Sequence, residues 1–538
     1  MKRYKWITSL LALIAVTTQT QAQQQAGVPR LVVTITVDQL RSDYIRNFSS
    51  TFGNKGLKRL MQEGVYAPNT EFDFLNLDKL SVVATILTGS NPSSHGIAFS
   101  SIFEHNDTKG LPVGRSILED PAYMGNYTDE RYSPKNLLAS TLSDELAIAS
   151  RTYSRIFAIA PDAETAIIGA GHAGNGAFWI DNAKGVWAST TYYSDMPFFI
   201  ERYNREESLS QKTETAVWTP ALPISHYNAF PYTLDELPFN HTFSNSKRGD
   251  TSFEAIKTSP FINSEVTNVA KLLIDGYDLG KRKIPDYLSI NYYAGNYLPI
   301  RAKEYSHEIQ DMYYRLDLEI ETLLSYIDQK VGLNNTLVCL TGTGYYAGDQ
   351  EIPEVSRIQK GEFFPDRCTS LLNMYLMILY GTEPWVTGYY NQQIFLNRKL
   401  IEEKKLSLDE VQRKAAEFVI QFAGVQEVTT NSLIFHGNTN DRRNHFREGL
   451  HKSLAGDIQI VLEPGWSIKY GKYESNCTRH NAVLSPLFLF GAGIQPQTIG
   501  RPVQATEIAP TVSHILRIRA PNACSTPPMR EFIYPNNK

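Results

Sequence analysis

The chain has 538 residues, of which 42% are hydrophobic and 20% are charged. This composition is typical of a globular protein, and the length suffices for one large hydrophobic core or two smaller ones. It excludes a disordered chain, and a formal net charge of −4 argues against nucleic acid or an anionic membrane surface as a partner.

The first 22 residues have the pattern of a secretory signal peptide. Three basic residues precede an apolar run from Ile7 to Val16, and Thr20-Gln21-Ala22 resembles a signal-peptidase site. We therefore predict secretion across the inner membrane, to the periplasm or the cell surface, with no transmembrane segment after cleavage. A retained anchor stays open, although the apolar run is far shorter than the roughly 20 residues that span a bilayer. Cleavage leaves 49 basic and 56 acidic residues, a net charge of −7.

The first predicted strand of the mature chain is the apolar, β-branched run Arg30–Val37, which is typical of a strand buried in a parallel sheet. It ends at Asp38, at the edge where open α/β sheets bind ligands. The stretch Asn76–Ile97 predicts a loop that leads into a short apolar helix starting near Lys79. Free N–H groups at a helix start favour negative charge, so a nucleophile or an anion would be well placed there.

Strands and helices alternate along the chain, which predicts an α/β fold with a mostly parallel central sheet. Two regions, about 181–260 and 345–480, show no clear hydrophobic period. We interpret them as cap or insert regions of one domain that spans residues 23–538. The predicted helices are Phe52–Glu63, Leu138–Ser150, Ser264–Tyr277, Glu304–Lys330, Ser407–Phe422 and Thr506–Leu516. The further predicted strands are Arg155–Ala160, Thr165–Ala170, Tyr287–Tyr293, Thr336–Thr341, Asp457–Leu462 and Pro486–Phe490.

The cysteines and histidines show no spacing typical of a metal site. Cys339 lies in a predicted buried strand. The other three cysteines could form a disulfide in an oxidising compartment, and which of them would pair stays open: Cys368, Cys477 and Cys524. His95 belongs to the turn after the Lys79 helix and is expected to fix it by hydrogen bonding. The other histidines considered are expected to be structural or surface residues: His172, His445, His451 and His480. A metal site built from His445 and His451 stays open.

Several segments together resemble the alkaline phosphatase superfamily. They cover most of the mature chain in the expected order: VVTITVDQLRSDY, LTGSNPSSHGI, AIIGAGHAGNGAFWID, YRLDLEIETLLSYID, PLFLFGAGI and ATEIAPTVSHILRIRAPN. The chain is most similar to the phosphate-irrepressible periplasmic alkaline phosphatases, a branch related to the type I phosphodiesterases and nucleotide pyrophosphatases. The resemblance implies a central, mostly parallel sheet flanked by helices, with inserted cap regions.

The resemblance also implies a catalytic site with two zinc ions and a Thr or Ser nucleophile at the helix start. The metals would orient the nucleophile and neutralise developing charge. In this sequence the nucleophile position falls on Lys79, whose ammonium cannot form the phospho-enzyme, and Ser81 is the fallback hydroxyl. The family's phosphate-binding Asn falls on Ser100, and its Lys and Arg fall on Asp162 and Glu164, which reverses both charges.

The metal ligands that the resemblance implies are mostly lost. Asp38 is retained, whereas the other five positions carry Asn296, Ile300, Gly342, Thr343 and Leu484. A zinc site needs three or four N, O or S ligands, so we expect neither zinc nor another cofactor. Without metals, Asp38 would be an unpaired carboxylate in a partly buried cleft. We therefore hypothesise that an ion-pair network has replaced the metals, with Lys79 as counter-charge and with Asp162 and Glu164 as acidic neighbours.

The sequence thus favours a secreted pseudoenzyme that acts in binding or assembly in the cell envelope, with an unidentified envelope protein or ligand as partner. The candidate contact surface is formed by aromatic residues of the first cap: Tyr192, Tyr193, Phe198, Phe199 and Tyr203. The alternative is an active phosphatase or phosphodiesterase with a rearranged site, for example with Ser81 as nucleophile and one metal on Asp38. Binding of a cationic ligand by the acidic cleft also stays open.

Overall fold

The structure is a computed structural model that describes residues 27–103, 115–229, 239–243, 253–297, 306–347, 360–437, 441–469 and 480–533. The predicted signal peptide, Ile300 and Cys477 lie outside these residues. Within the described ranges, no helix is both long enough and apolar enough to cross a bilayer. The thiols of Cys339, Cys368 and Cys524 are free.

A large central sheet confirms the predicted α/β fold. The strands at its middle run parallel and lie in the spatial order Thr336–Gly342, Leu31–Asp38, Asp286–Tyr293, Ile156–Ile159 and Gly176–Ile180. Antiparallel strands extend the sheet, with Ser485–Gly491 and Val65–Glu71 on one side and Trp187–Thr190 and Gly125–Asn126 on the other. The two short strands Gln497–Thr498 and Val503–Gln504 pair in parallel with Val65–Glu71.

Helices cover both faces of this sheet, which explains why its central strands are buried along their whole length. Side chains alternate between the two resulting cores, so that Val33 and Ile35 enter one core while Val32 enters the other. The helices of this part of the fold are Ser42–Phe48, Leu57–Glu63, Lys79–Thr88, Pro92–His95, Leu142–Ala149, Ala163–Ala170, Phe198–Glu206, Leu209–Thr213, Glu254–Lys257, Phe261–Gly276, His307–Lys330, Ile508–Leu516 and Arg530–Ile533.

The predicted strand Thr165–Ala170 is wrong, because these residues belong to the helix Ala163–Ala170. The Asp162 carboxylate caps this helix by accepting a hydrogen bond from the Thr165 N–H at 3.2 Å. The helix is packed so closely against the sheet that nearly all its residues are buried, and a short buried helix has no polar face to mark its period. An apolar run of this length therefore fits a strand as well as a helix, unless the capping role of Asp162 is recognised.

The predicted helix Phe52–Glu63 is shorter than expected, since its α-helical part begins only at Leu57. The chain before it is held by a distant carboxylate. Asp317 accepts hydrogen bonds from the backbone N–H groups of Gly53 and Leu57, at 2.8 and 2.7 Å. These N–H groups therefore find their partner in the helix His307–Lys330 rather than in an earlier helical turn.

Residues 361–437 and 441–468 form a lobe with a hydrophobic core of its own, which is called the insert lobe below. Its antiparallel sheet has the strand order Val386–Tyr390, Gln393–Leu396, Ile458–Leu462 and Val425–Thr430. Its helices are Pro365–Tyr380, Arg398–Glu403, Leu408–Val419, Asn431–His436 and Asp441–Glu448. Aromatic side chains join the lobe to the rest of the fold near the start of the helix Lys79–Thr88, with Phe99 against Tyr390 and Phe103 against Phe395.

The aromatic residues of the first cap region are mostly packed into the fold. Tyr193 and Tyr203 are each only 8% exposed. Phe199 packs edge-on against Tyr277, with the ring centroids 5.5 Å apart. Phe198, in contrast, is 67% exposed.

Candidate functional site

The helix Lys79–Thr88 begins with a capping box that uses the hydroxyl of Ser81. Ser81 Oγ accepts a hydrogen bond from the Asp78 N–H at 3.1 Å and donates one to the Asp78 carbonyl at 2.9 Å. The Asp78 carboxylate accepts hydrogen bonds from the Leu80 N–H at 3.0 Å and from the Ser100 hydroxyl at 2.5 Å. Ser81 has no solvent exposure, so both hydroxyls that the sequence placed near the nucleophile are engaged in local structure.

Lys79, the first residue of this helix, forms ion pairs with two carboxylates. Its Nζ lies 3.6 Å from Asp38 Oδ2 and makes a direct salt bridge with Asp162 Oδ2. The Lys79, Asp38 and Asp162 side chains are 25%, 5% and 30% exposed, respectively. The structure thus brings together the three residues that the ion-pair hypothesis joins, although they lie far apart in the sequence.

The charges of this network keep Lys79 protonated. Burial acts to lower the pKa of the Lys79 ammonium, but the Asp162 and Asp38 carboxylates outweigh it and raise the pKa above its usual value. Burial likewise acts to raise the pKa of Asp162, and the Lys79 charge with the Thr165 hydroxyl lowers that pKa below its usual value. Because a permanently protonated ammonium has no free electron pair, Lys79 cannot serve as a nucleophile or a general base.

Asp38 is held by two hydroxyl groups besides Lys79. Its Oδ1 accepts hydrogen bonds from the Tyr345 phenol at 2.7 Å and from the Thr343 hydroxyl at 3.2 Å. Burial and the Asp38 charge both raise the pKa of Tyr345, so the phenol stays a donor. Thr343 Oγ1 also accepts a hydrogen bond from the Gln39 N–H at 2.8 Å. The contact of Tyr345 was not predicted, because it depends on the path of the chain after the strand Thr336–Gly342.

Glu164 lies in the first turn of the helix that Asp162 caps. Burial raises the pKa of the Glu164 carboxyl to about 7, and the charges of Asp162 and Glu130 act in the same direction. Lys257 is a second cation, close to Asp162 and Glu130, and burial lowers the pKa of its ammonium. The sequence prediction missed Glu130 and Lys257, which lie in regions without a motif.

The described positions that the resemblance assigns to metal ligands do not form a donor set, and Ile300 lies outside the described residues. A Cβ atom at Gly342 would lie 2.7 Å from the Leu40 carbonyl oxygen, so the backbone leaves no room for a ligating side chain. Leu484 is 47% exposed, and Thr343 is bound to Asp38. The Oδ1 atom of Asn296 is buried without a hydrogen-bond partner among the described residues, but a single amide oxygen is a weak zinc ligand.

No group of three His, Cys, Asp or Glu side chains in the described part of the chain could hold a metal ion. At the retained ligand Asp38, the Lys79 ammonium supplies the positive charge that a metal ion would supply. These residues therefore do not fit the two zinc ions that the resemblance implies.

His95 fixes the turn after the Lys79–Thr88 helix, as expected. Its Nδ1 accepts a hydrogen bond from the Ile97 N–H at 3.1 Å, and its Nε2 lies 3.1 Å from the Thr85 hydroxyl oxygen. Burial lowers the pKa of His95 to about 3, which keeps the ring neutral. His172 contacts Asp144 at 2.9 Å, and His445 lies 3.2 Å from Asp73.

Comparisons with known proteins agree with this architecture. The model of the type I phosphodiesterase / nucleotide pyrophosphatase family matches residues 32–483. The chain is 28% identical to the alkaline phosphatase PafA of Elizabethkingia meningoseptica, over 98% of this chain and 99% of the relative. It is 27% identical to the alkaline phosphatase PhoV of Synechococcus elongatus, over 93% of this chain and 92% of the relative.

The crystal structure of wild-type PafA superimposes on this fold with a TM-score of 0.83 at 27% identity, covering 94% of this chain and 99% of that one. The central sheet and its flanking helices therefore have the arrangement found in that alkaline phosphatase. The chain belongs to the type I phosphodiesterase / nucleotide pyrophosphatase family, within the alkaline phosphatase superfamily.

Proposed function

We propose that this chain has lost the metal-dependent hydrolysis of phosphate esters and acts by binding in the cell envelope. The observation that carries the proposal is the position of Lys79, whose ammonium pairs with Asp38 and Asp162 at the start of the helix. The group at the nucleophile position is thus a cation without a free electron pair. It is held by Asp38, the carboxylate that the resemblance implies as a metal ligand.

The charges around Lys79 also disfavour a phosphate ester. Asp162 and Glu164 stand where the resemblance implies a Lys and an Arg, and like charges in a partly buried site repel strongly. The neutral form of Glu164 near pH 7 reduces this repulsion but supplies no cation. A dianionic phosphate would therefore meet Lys79, which is already paired with two carboxylates.

The rival function is hydrolysis by a rearranged site, and the two named relatives are alkaline phosphatases. In that case Ser81 would have to leave the capping box, because its hydroxyl is buried and hydrogen-bonded at both its donor and its acceptor side. Breaking a helix cap costs about 1 kcal/mol, and the buried polar groups left behind cost more. Moving Ser81 into a catalytic position would thus destabilise the start of the helix Lys79–Thr88.

The binding role rests on the predicted signal peptide and on a retained scaffold. Of the aromatic residues first considered as a contact surface, Tyr193 and Tyr203 are too buried to meet a partner, while Phe198 is exposed. A partner at this cap would therefore contact Phe198 rather than the whole aromatic set.

Hydrolysis assays test this proposal. The mature chain, with zinc in excess, is assayed with one phosphate monoester and one phosphate diester, alongside PafA as a positive control. We expect the same background rate for the natural chain and for its Lys79→Ala and Asp38→Asn variants. Turnover by the natural chain that either substitution abolishes would overturn the proposal.

A further inference from the structure

The helix Pro365–Tyr380 of the insert lobe is apolar on two opposite faces. One face, which includes Leu372 and Leu376, has no solvent exposure and packs into the core of the lobe. The other face carries an apolar stripe, defined as Phe364, Leu371, Met374, Ile378 and Leu379, which are 44%, 37%, 59%, 83% and 44% exposed. A helix that is apolar all round is normally buried all round.

Charged residues surround the apolar stripe, and only Arg367, between Phe364 and Leu371, interrupts it. The segment from Cys368 to Tyr380, CTSLLNMYLMILY, has no charged residue. Arg367 lies at one end of the stripe, and the Glu383–Lys404 ion pair lies beyond the other. An apolar centre with a charged rim is the usual anatomy of a protein interface.

The apolar stripe contains both a protruding side chain and a hollow. A groove of about 430 Å³ lies beside the N-terminal half of the helix. Its walls combine apolar side chains with the polar side chains of Glu362, Arg367 and Gln421, and the apolar ones include Phe364, Leu371, Phe418, Phe422 and Trp466. The stripe's most exposed residue, Ile378, lies two turns further along the same helix.

We propose that the apolar stripe is the contact between two copies of this chain related by a two-fold axis. If two copies of the helix pair antiparallel about an axis near Met374, Ile378 of each copy lies beside Leu371 of the other, at the mouth of its groove. Each copy then supplies one protruding side chain and one hollow, as an isologous interface requires.

The charges fit the same arrangement. The antiparallel pairing brings Arg367 of one copy close to Glu383 of the other, and it sets the two helix dipoles in opposite directions. The mixed charges of the rim and the net negative charge of the chain argue against an anionic bilayer as the occupant.

The surface available to a second copy extends beyond the apolar stripe. A stable interface buries about 800 Å² on each partner. Exposed apolar patches of roughly 300–600 Å² are already the largest on typical monomers, so the stripe alone falls short of that area. The groove shares Phe364 and Leu371 with the stripe, so its aromatic walls add to the surface that a second copy would cover.

Sedimentation equilibrium of the mature chain tests the proposal. We expect a reversible monomer–dimer equilibrium, and we expect Ile378→Asp to weaken dimerisation at least about 30-fold, as truncation of a central interface residue does. The matched control is Ile148→Asp, because Ile148 is 66% exposed on a helix outside the stripe and its substitution should leave the dimer intact. A chain that stays monomeric up to about 100 µM would overturn the proposal, as would a dimer that survives Ile378→Asp.

Cross-linking checks the geometry independently. Met374→Cys places two thiols near the proposed axis, so mild oxidation should link two chains, whereas Ile148→Cys should not. Dimers of the Met374→Cys variant that remain unlinked would contradict the antiparallel pairing. If the monomer instead bound phosphatidylcholine vesicles through the stripe, the partner of the stripe would be a lipid bilayer and not a second copy, and the proposal would be wrong.

Discussion

Lys79 stabilises a site that would otherwise concentrate negative charge. It pairs with Asp38 and Asp162, while Glu164 beside them shifts toward its neutral form. One ammonium thus serves two carboxylates, and a raised pKa reduces the charge of the third carboxyl group. The Tyr345 and Thr343 hydroxyls complete the hydrogen bonding of Asp38.

Replacement of Lys79 tests this stabilisation. Lys79→Met keeps the apolar stem but leaves Asp38 and Asp162 without their cation. We expect a loss of about 1–3 kcal/mol in the free energy of unfolding, less than for a fully buried pair because the Lys79 side chain is 25% exposed. Urea denaturation measures the change.

The matched control for that measurement is Lys184→Met. Lys184 lies 3.5 Å from Asp129, whose side chain is 97% exposed, so this substitution should leave stability nearly unchanged. The double variant Lys79→Met/Asp38→Asn should recover part of the loss, because it also removes the buried charge of Asp38. Equal stability of the Lys79→Met variant and its control would refute the ion-pair network.

Glu164 should make stability depend on pH. Its pKa rises from 4.5 to about 7 on folding, so the folded chain holds a proton that the unfolded chain releases between these values. Stability should therefore fall as the pH rises from 5 to 8, by about 1–3 kcal/mol from this group. Glu164→Gln, which stays neutral, should remove this part of the pH dependence.

Urea midpoints of the natural chain and the Glu164→Gln variant at several pH values measure this difference. Two other groups of the network, Lys79 and Asp162, act outside this window. The contribution of Lys79, whose pKa is raised, is lost only above pH 10.5, and that of Asp162, whose pKa is lowered, is lost only below pH 3.8. Parallel pH profiles of the two proteins would contradict the raised pKa of Glu164.

The helix Ala163–Ala170 links local structure to the site, because Asp162 is both its N-cap and a partner of Lys79. Asp162→Asn keeps a capping side chain but loses the ion pair, whereas Asp162→Ala loses both. We expect the alanine variant to be less stable than the asparagine variant by about 1 kcal/mol. Circular dichroism during urea denaturation measures the two values, and equal stability would show that Asp162 does not act as a cap.

Elements with long apolar runs could be predicted from the sequence almost residue by residue. The predicted strands Arg30–Val37, Tyr287–Tyr293 and Thr336–Thr341 differ from the observed Leu31–Asp38, Asp286–Tyr293 and Thr336–Gly342 by single end residues. These strands are buried on both faces, so hydrophobicity alone marks them. The helix Ala163–Ala170 was missed because its residues are buried as well, and burial removes the period that separates a helix from a strand.

At the scale of the whole molecule, the parallel sheet brings the site together. Asp38 and Thr343 follow neighbouring parallel strands, and the start of the helix Lys79–Thr88 lies at the same edge. The resemblance was enough to place Asp38, Lys79 and Asp162 at one site. The contact of Tyr345 depends on the path of the chain after its strand, and the sequence does not specify that path.

The insert lobe shows a second limit of prediction from sequence. There the predicted helix Ser407–Phe422 corresponds to the observed helix Leu408–Val419, whose buried residues recur at helical spacing. The helix Pro365–Tyr380 has no such pattern, since both of its faces are apolar. Only the packing of the lobe reveals which face the chain leaves exposed, and hence where a second copy could bind.

Zinc stoichiometry tests the central claim most directly. The mature chain is dialysed to equilibrium against zinc, and its bound metal is measured beside the Asp38→Asn variant and PafA. We predict no stoichiometric zinc at this site, hence the same low zinc content in the natural chain and in Asp38→Asn. Two zinc ions per natural chain, lost in the variant, would contradict the replacement of the metals by Lys79.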